Sequence, residues 1–313
     1  MDYYAETEVP RNNNIFINLR TEASKPGLVH TDTQLFSDYV QLLNTRIELQ
    51  QASDKTQVHH YRQLDPDYYI YEENQRHRAR NTQVVSLIND HYKNSQGQDT
   101  FVIVELGAGV GRLGEELRKK LEESRSDNQS LPDFVYSPSD VSSKAVQALK
   151  DKNFSPIFTL ADHLPYQADS CDVLYAGELI EHLSFPVFLK FLQESRRVLK
   201  SDATLILTTP NFHSLPARED KKNGKIPLIF DISRDRYAAE HLLPFTKDSL
   251  EEILEKFGFE VKTVSTSQIT RKIEKGVPTE FQIYDDINAV PDATEGDSLI
   301  VSAKQQTSQN KLE

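Results

Sequence analysis

The chain has 313 residues, with 36 Lys and Arg, 48 Asp and Glu, a formal net charge of −12 and one cysteine. The acidic balance argues against broad nucleic-acid binding, because neutralising phosphates requires a concentrated basic surface. One cysteine excludes an internal disulfide framework, and the sequence contains neither a run of about 18 apolar residues nor a signal-peptide pattern, so we predict a cytoplasmic protein with no membrane segment.

The first part of the chain carries a helical pattern over residues 33–51 and a tyrosine-rich run over residues 65–71, which leads into a further predicted helix. We predict that residues 1–82 form an N-terminal helical cap over the active site, with Tyr68 and Tyr69 as candidate substrate-binding residues. The alternative is that these tyrosines only pack the added helices against the rest of the protein.

The most informative segment is an apolar run over residues 102–106, which predicts a buried strand and leads into a loop with Gly107, Gly109 and Gly111. The glycines let the backbone approach a ligand, and leucine spacing predicts a helix from Arg112 onward whose N-terminus faces the loop. We therefore predict a nucleotide-like ligand. A dinucleotide fingerprint starting at the strand end would need a glycine in place of Arg112, so the register disfavours a nicotinamide-dependent oxidoreductase.

An acid precedes the alternating glycines, and the pattern Glu105-x-Gly107-x-Gly109-x-Gly111 resembles the first motif of class I S-adenosylmethionine-dependent methyltransferases. A strand predicted over residues 133–140 ends in an acid, and residues 160–174 resemble the family passage D-x-x-x-L-P-F … D-x-S-F-D-V-V. The resemblance implies S-adenosyl-L-methionine as the cofactor. It also implies a set of cofactor-binding residues, which are Glu105, Gly107, Gly109, Gly111, Asp140 at the ribose, Asp162 and the backbone of His163 at the adenine, and Glu178.

Later segments resemble the same family in the same order. Residues 177–183 resemble E-x-x-E-H-L. A helix predicted over residues 188–199 precedes a turn at Ser201-Asp202-Ala203, where the family has Pro-Gly-Gly. The strand predicted over residues 204–211 resembles L-x-T-T-P-N. A helix over residues 250–257 and a last strand over residues 297–302 complete the pattern.

The resemblance implies an α/β fold with a Rossmann-like, seven-stranded, mostly parallel sheet and helices on both faces. We assign this methyltransferase domain to residues 83–303 and a disordered tail to residues 304–313. Residues 212–241 form a long connection rich in Lys, Pro and Asp at the carboxyl end of a central strand, where ligands of open α/β sheets bind. We predict that this insertion is a lid that selects the acceptor.

The implied reaction is methyl transfer to an oxygen or nitrogen atom of a small-molecule, natural-product-like acceptor. A base that removes the acceptor's proton is expected among His182, His241 and Glu178, since histidine titrates in the useful pH range. Glu181 and Asn211 are candidate substrate-binding residues. The alternative for each histidine is a hydrogen-bonded structural role.

Glu178, Glu181, His182 and His241 also resemble the magnesium ligands of small-RNA 3′-terminal 2′-O-methyltransferases. The histidine pattern around the fourth ligand is incomplete, and magnesium prefers oxygen over imidazole, so we predict that no metal takes part. A metal-dependent RNA 2′-O-methyltransferase stays an alternative, as does a catalytically silent scaffold, against which the intact set of Glu105, Asp140 and Asp162 argues. The oligomeric state and the acceptor stay open.

Overall fold

The computed structural model describes residues 75–183, 185–222, 243–274 and 277–306. The strands in these ranges are β1 (Thr100–Leu106), β2 (Asp133–Asp140), β3 (Ile157–Phe158), β4 (Cys171–Gly177), β5 (Leu199–Pro210), β6 (Phe259–Ser265), β7 (Gln268–Glu274), β8 (Val277–Ile283) and β9 (Ser298–Gln305). The α-helices are α1 (Gln75–Lys93), α2 (Arg112–Asp127), α3 (Ser143–Asp151), α4 (Phe185–Val198), α5 (Leu215–Lys222) and α6 (Lys247–Lys256). No helix in this part of the chain is long and apolar enough to cross a membrane.

Seven of the strands form one sheet in the order β3-β2-β1-β4-β5-β9-β6. Strands β1 to β5 pair in parallel, and β9 runs antiparallel to both β5 and β6. The predicted seven-stranded, mostly parallel sheet is therefore confirmed. Strand order reverses between β1 and β4, and the crevice outside the carboxyl ends of the strands at such a switch point is where open α/β sheets bind ligands.

Helices cover both faces of the sheet, as predicted. On one face, Ile88 of α1 and Leu117 of α2 pack in one buried cluster with Ile103 of β1. On the other face, Phe188 of α4 and Leu254 of α6 pack in a second cluster with neighbouring residues of the strands. Successive residues of β1 alternate between these two clusters because side chains of a strand point to opposite faces.

The start of β5 differs from the prediction. Helix α4 spans Phe185–Val198, and β5 begins at Leu199, so Ser201-Asp202-Ala203 does not form the separate turn that we expect from the sequence. In the pairing of β5 with β4, Leu199 lies opposite Cys171, and the next pair is Thr204 with Val173. Strand β5 therefore has extra residues between these two pairs. The predicted turn is therefore a bulge inside a longer strand, which allows the chain to leave α4 without a glycine turn.

A β-hairpin of β7 and β8, inserted between β6 and β9, is absent from the sequence prediction. Gln83 of α1 ties its base to the domain, since its Nε2 donates hydrogen bonds to the carbonyl oxygens of Thr266 at 2.9 Å and Tyr284 at 2.8 Å. The Ser265 hydroxyl donates to Gln83 Oε1 at 2.8 Å. These buried bonds fix α1 and the hairpin against each other.

Parts of the predicted additions lie outside the described residues. These are residues 1–74 of the predicted cap, residues 223–241 of the predicted lid and the last seven residues of the tail. The predicted boundary at residue 82 lies within α1, the first residues of the predicted lid include helix α5, and residues 304 and 305 belong to β9.

Candidate active site

The loop between β1 and α2 has left-handed backbone at all three glycines, with φ of 73° at Gly107, 53° at Gly109 and 77° at Gly111. A Cβ atom at Gly111 would lie 2.6 Å from Leu149, so packing requires glycine there. A Cβ at Gly107 would meet only Leu179, at 3.6 Å or more. Gly107 is thus not required by internal packing, which is consistent with backbone reserved for close approach of a ligand.

Asp140, the last residue of β2, holds this loop in place. Its Oδ2 accepts a hydrogen bond from the Gly109 N–H at 2.9 Å, and its Oδ1 accepts one from the Ser142 N–H at 2.7 Å. Burial raises the pKa of Asp140, and the backbone donors offset part of that rise. A carboxylate offers about four acceptor positions, so each oxygen keeps capacity for a further donor such as a ribose hydroxyl.

Glu105 lies near the end of β1 and is only 5% exposed. The Tyr136 hydroxyl donates a hydrogen bond to Glu105 Oε2. Burial raises the pKa of Glu105 to about 7, although the bond from Tyr136 lowers it, and the nearby charge of Asp140 raises it further. The two carboxyl groups thus interact beside the glycine loop.

Asp162 and His163 lie in the turn between β3 and β4, where Leu160 and His163 form an isolated bridge. Asp162 is buried, and His163 is half-buried. Because β3 pairs with β2 at Asp140, this turn follows the carboxyl end of β3. Glu105, Asp140 and Asp162 thus lie in a row at the carboxyl ends of β1, β2 and β3. The placement is compatible with the predicted adenine contact.

Glu178 follows β4 and has an unusual left-handed backbone with φ of 48°. Its N–H donates to both the carbonyl oxygen and the hydroxyl of Thr208, at 2.9 and 3.1 Å. Glu178 Oε1 lies 3.2 Å from Nη1 of Arg80 on α1, which makes an ion pair. Left-handed conformations of residues other than glycine are costly and are concentrated at functional sites.

Glu181 and His182 lie in a 3₁₀ turn, Ile180–His182. The Thr209 hydroxyl donates to Glu181 Oε2 at 3.1 Å, and His182 Nε2 lies 3.7 Å from Glu181 Oε1, beyond hydrogen-bond distance. Burial, followed by the charge of Glu178, raises the pKa of Glu181 well above its usual value. Both causes favour the protonated form of Glu181.

The two acids after β4, Glu178 and Glu181, lie beside the glycine loop. Leu179 is the residue that a Cβ at Gly107 would contact, and Tyr175 of β4 lies within electrostatic range of both Glu105 and Glu178. The structure therefore brings together the predicted cofactor-binding acids and the predicted acceptor-side residues at the carboxyl edge of β1, β2 and β4.

Asn211, a predicted substrate-binding residue, makes side-chain hydrogen bonds inside the protein. Its amide donates both protons inside the protein, to the carbonyl oxygens of Thr294 and Gly296 at 2.8 Å each, and its Oδ1 accepts from the His213 N–H at 3.0 Å. Because these bonds use both amide protons, they support a structural role at the end of β5. Tyr68, Tyr69 and His241 lie outside the described residues.

Arg80 was not among the candidate residues, although its ion pair makes it part of the site. Residues 76, 78 and 80 are alternate residues of a helix and cannot share one face, so the arginine pattern alone does not select one of them. Arg78 is exposed, whereas Arg80 is half-buried against Glu178. Only the packing of α1 on the sheet distinguishes them.

No group of three or more His, Cys, Asp or Glu side chains that could hold a metal ion occurs within the ranges described above. His241 is not in those ranges, so the expectation of metal-independent chemistry stays a prediction.

Comparison with known proteins gives the family. The model of the family "Methyltransferase domain" matches residues 71–264, more than half of the chain. No curated protein sequence matches significantly.

Similar solved structures include a SAM-dependent methyltransferase of Thermotoga maritima, a possible histamine N-methyltransferase, with 16% identity over 79% of this chain and 99% of that chain and a TM-score of 0.50. A SAM-dependent methyltransferase of Aquifex aeolicus has 15% identity over 77% of this chain and 98% of that chain, with a TM-score of 0.45. A 1,6-didemethyltoxoflavin-N1-methyltransferase of Burkholderia thailandensis, bound to S-adenosylhomocysteine, has 12% identity over 72% of this chain and 79% of that chain, with a TM-score of 0.43.

The Thermotoga maritima structure bears on the fold alone. The family match, together with the seven-stranded sheet and its glycine loop, identifies the chain as a member of the class I S-adenosylmethionine-dependent methyltransferases, with S-adenosylmethionine as the cofactor.

Proposed function

We propose that the chain transfers the methyl group of S-adenosylmethionine to an oxygen or nitrogen atom of a small-molecule acceptor. The observation that carries the proposal is the line of three buried acids, Glu105, Asp140 and Asp162, around a left-handed glycine loop. Three carboxyl groups match three groups of hydrogen-bond donors on the cofactor, namely its amine, its ribose hydroxyls and its adenine amino group. The residues present therefore fit this cofactor.

When bound, the cofactor supplies an electrophilic methyl group on a sulfonium sulfur. The protein's task is then to align the acceptor in line with the departing sulfur and to accept the proton that the acceptor loses. Glu178 and His182 are the described residues we propose as proton acceptors, with Glu181 as an acceptor-binding residue. Their position beside Leu179 and Gly107 supports this assignment, because methyl transfer requires the acceptor to meet the cofactor there.

We also propose the domain roles that the sequence suggests: residues 1–82 as a cap, residues 212–241 as an acceptor-selecting lid and residues 83–303 as the catalytic domain. The lid is supported by the end of β5, since this strand ends at Pro210, just before the proposed lid. Long connections at the carboxyl ends of strands commonly determine substrate selection. The cytoplasmic location and the natural-product-like acceptor are proposed on composition and fold analogy.

Titration calorimetry on the full chain tests the cofactor assignment. We expect S-adenosylhomocysteine to bind with one site and a Kd in the micromolar range, or about −8 kcal/mol, and NAD to give no binding heat. S-adenosylhomocysteine is used because it cannot be turned over during the titration. Binding of NAD without binding of S-adenosylhomocysteine would contradict the proposal.

Replacing residues 223–236 with a short Gly/Ser linker tests the lid. We expect S-adenosylmethionine affinity to change less than about threefold, under ~0.7 kcal/mol, because the glycine loop and its acids are untouched. Methyl transfer to the native acceptor, once it is identified by screening, should fall much further, since acceptor alignment is lost. Helix α5 is left intact so that its contacts with the hairpin are preserved. Full turnover in the linker variant would show that this segment is not a lid.

A further inference from the structure

Tyr136 of β2 holds the carboxyl group of Glu105 from the neighbouring strand. In the parallel pairing of the two strands Tyr136 lies opposite Ile103, and its hydroxyl donates a hydrogen bond to Glu105 Oε2. The Ser139 hydroxyl holds the backbone of Glu105, since it donates to the carbonyl oxygen at 2.9 Å. Within the described ranges, no donor binds Glu105 Oε1. The carboxyl group is therefore fixed at one oxygen, and the other keeps its capacity for a ligand.

Gly114, in the first turn of α2, leaves the space that Tyr136 occupies. The three atoms nearest to a Cβ built at Gly114 all belong to Tyr136, with Cε1 at 2.5 Å and the hydroxyl oxygen at 2.7 Å. The backbone of Gly114 is helical rather than left-handed, so its conformation does not require glycine. Glycine is less favourable than alanine in a helix, and the packing of Tyr136 explains why it occurs here.

Phe154, which follows α3, fixes the ring of Tyr136 from a second side. The two rings meet edge to face, with centroids 5.3 Å apart and an interplanar angle of 71°. A phenylalanine at position 136 could make the same ring contact, so packing does not explain the hydroxyl. A tyrosine hydroxyl inside a protein usually takes a hydrogen-bond partner, and here that partner is Glu105. The hydroxyl and the glycine slot thus both serve the contact with Glu105.

We propose that Tyr136 is a positioning residue for the cofactor: its hydroxyl fixes Oε2 of Glu105 and leaves Oε1 for the cofactor's amine, and Gly114 is the slot that admits the tyrosine. This inference rests on the proposed function, in which the carboxyl group of Glu105 matches the amine of S-adenosylmethionine. A carboxylate that rotates freely must lose that freedom when a ligand binds, whereas one that is already held loses little. Tyr136 therefore raises affinity without a contact of its own to the cofactor.

The amino-acid part of the cofactor is the part that Tyr136 should affect. S-adenosylhomocysteine carries the amine, whereas 5′-methylthioadenosine keeps the adenine, the ribose and the sulfur but lacks the amino-acid part. A change at Tyr136 should therefore weaken binding of the first ligand and not of the second. A purely structural role would instead weaken both, because a distorted glycine loop affects the adenosine part that the two ligands share.

Titration calorimetry on the full chain near pH 8, with both ligands, tests Tyr136. In Tyr136→Phe we expect the affinity for S-adenosylhomocysteine to fall about fivefold or more, and that for 5′-methylthioadenosine to stay within about twofold. Glu105→Gln should give the same selective loss. The matched control is Tyr92→Phe. Tyr92 belongs to the buried cluster against which Tyr136 packs, but its hydroxyl donates to the carbonyl oxygen of Pro132 at 2.6 Å, just before the amino end of β2. This control should lower the Tm and leave both affinities within about twofold.

Gly114→Ala tests the slot, and it does so even if Tyr136→Phe does not fold. The added methyl group displaces Tyr136, so we expect the same selective loss of S-adenosylhomocysteine affinity, although alanine favours the helix. In the Tyr136→Phe background the hydroxyl is already absent, so Gly114→Ala should add less than about twofold to the selective loss. Fully additive selective losses in the double variant would show that the two residues act independently.

Three further results would overturn the inference. These are an unchanged affinity for S-adenosylhomocysteine in folded Tyr136→Phe, an equal loss for both ligands in that variant, and wild-type affinity for S-adenosylhomocysteine in Gly114→Ala. Failure of the wild-type chain to bind S-adenosylhomocysteine would instead disprove the proposed function, and unchanged affinity in Glu105→Gln would disprove its assignment of Glu105. The failure of the inference and that of the proposed function are therefore distinguishable.

Discussion

S-adenosylmethionine binding is expected to weaken about 10- to 100-fold in Asp140→Ala, a loss of about 1.5–3 kcal/mol. The proposed hydrogen bonds from the ribose to a charged group disappear, and the N–H of Gly109 loses the acceptor that holds the glycine loop. Both effects act on the cofactor site. Titration calorimetry measures the loss, and unchanged affinity in a folded variant would contradict the assignment of Asp140.

A matched control for Asp140→Ala is Asp172→Ala. Asp172 is also a buried carboxylate, whose Oδ2 accepts from the Val102 N–H at 2.7 Å, but it lies near the amino end of β4 and pairs with Lys200. Its removal should lower the free energy of unfolding by about 1–3 kcal/mol. The contribution of the ion pair to this figure is small, because Lys200 is one-third exposed and water screens its charge. Cofactor affinity should stay within about twofold. The comparison separates loss of stability from loss of the site.

The central sheet was predictable because its signals are local. The apolar run of β1 predicts a buried strand, and in the structure its residues alternate between two buried clusters. Few loop conformations require the glycines that follow this strand. The acids at the ends of β1 and β2 are then placed by the parallel arrangement itself, since parallel strands end at one edge. No longer-range information is needed for that part of the site.

Other features depend on packing between distant segments. The ion pair of Arg80 with Glu178 joins residues 98 positions apart, and nothing in the sequence near either residue encodes it. The hairpin of β7 and β8 carries an alternating pattern interrupted by Pro278, and Lys275-Gly276 between the strands is a weak turn signal. The bulge in β5 replaces a predicted turn because its pairing with β4 continues on both sides.

The second large effect concerns the pH dependence of stability, through Glu105. Its pKa is raised to about 7 in the folded protein from 4.5, so the folded state holds the proton more tightly than the unfolded chain. The stability that this group contributes is fully present below about pH 4.5 and is lost as the pH rises towards about 7. The loss amounts to about 3 kcal/mol at most, since one pKa unit corresponds to about 1.4 kcal/mol.

Glu105→Gln should therefore raise the free energy of unfolding by about 1–3 kcal/mol near pH 8 and change it little near pH 4.5, as measured by urea denaturation at the two pH values. The amide keeps an oxygen that can accept from the Tyr136 hydroxyl, so packing is preserved. Tyr136→Phe provides the opposite control: it removes the donor that lowers the pKa of Glu105 and should steepen the decline of stability with pH. Equal stabilisation by Glu105→Gln at both pH values would show that the penalty is not one of ionisation.

The same Glu105→Gln variant should bind S-adenosylmethionine at least tenfold more weakly near pH 8, because the proposed contact between its carboxylate and the cofactor's amine is lost. Stability and affinity are thus expected to change in opposite directions. A residue that only supports the fold would not give this result, because removal of a purely structural carboxylate lowers stability. Burial of the Glu105 carboxylate is costly in the cofactor-free protein, and the positive charge of the cofactor's amine would offset this cost on binding. Because Glu105 loses its proton as the pH increases through about 7, the affinity of the wild-type chain should also rise over that range.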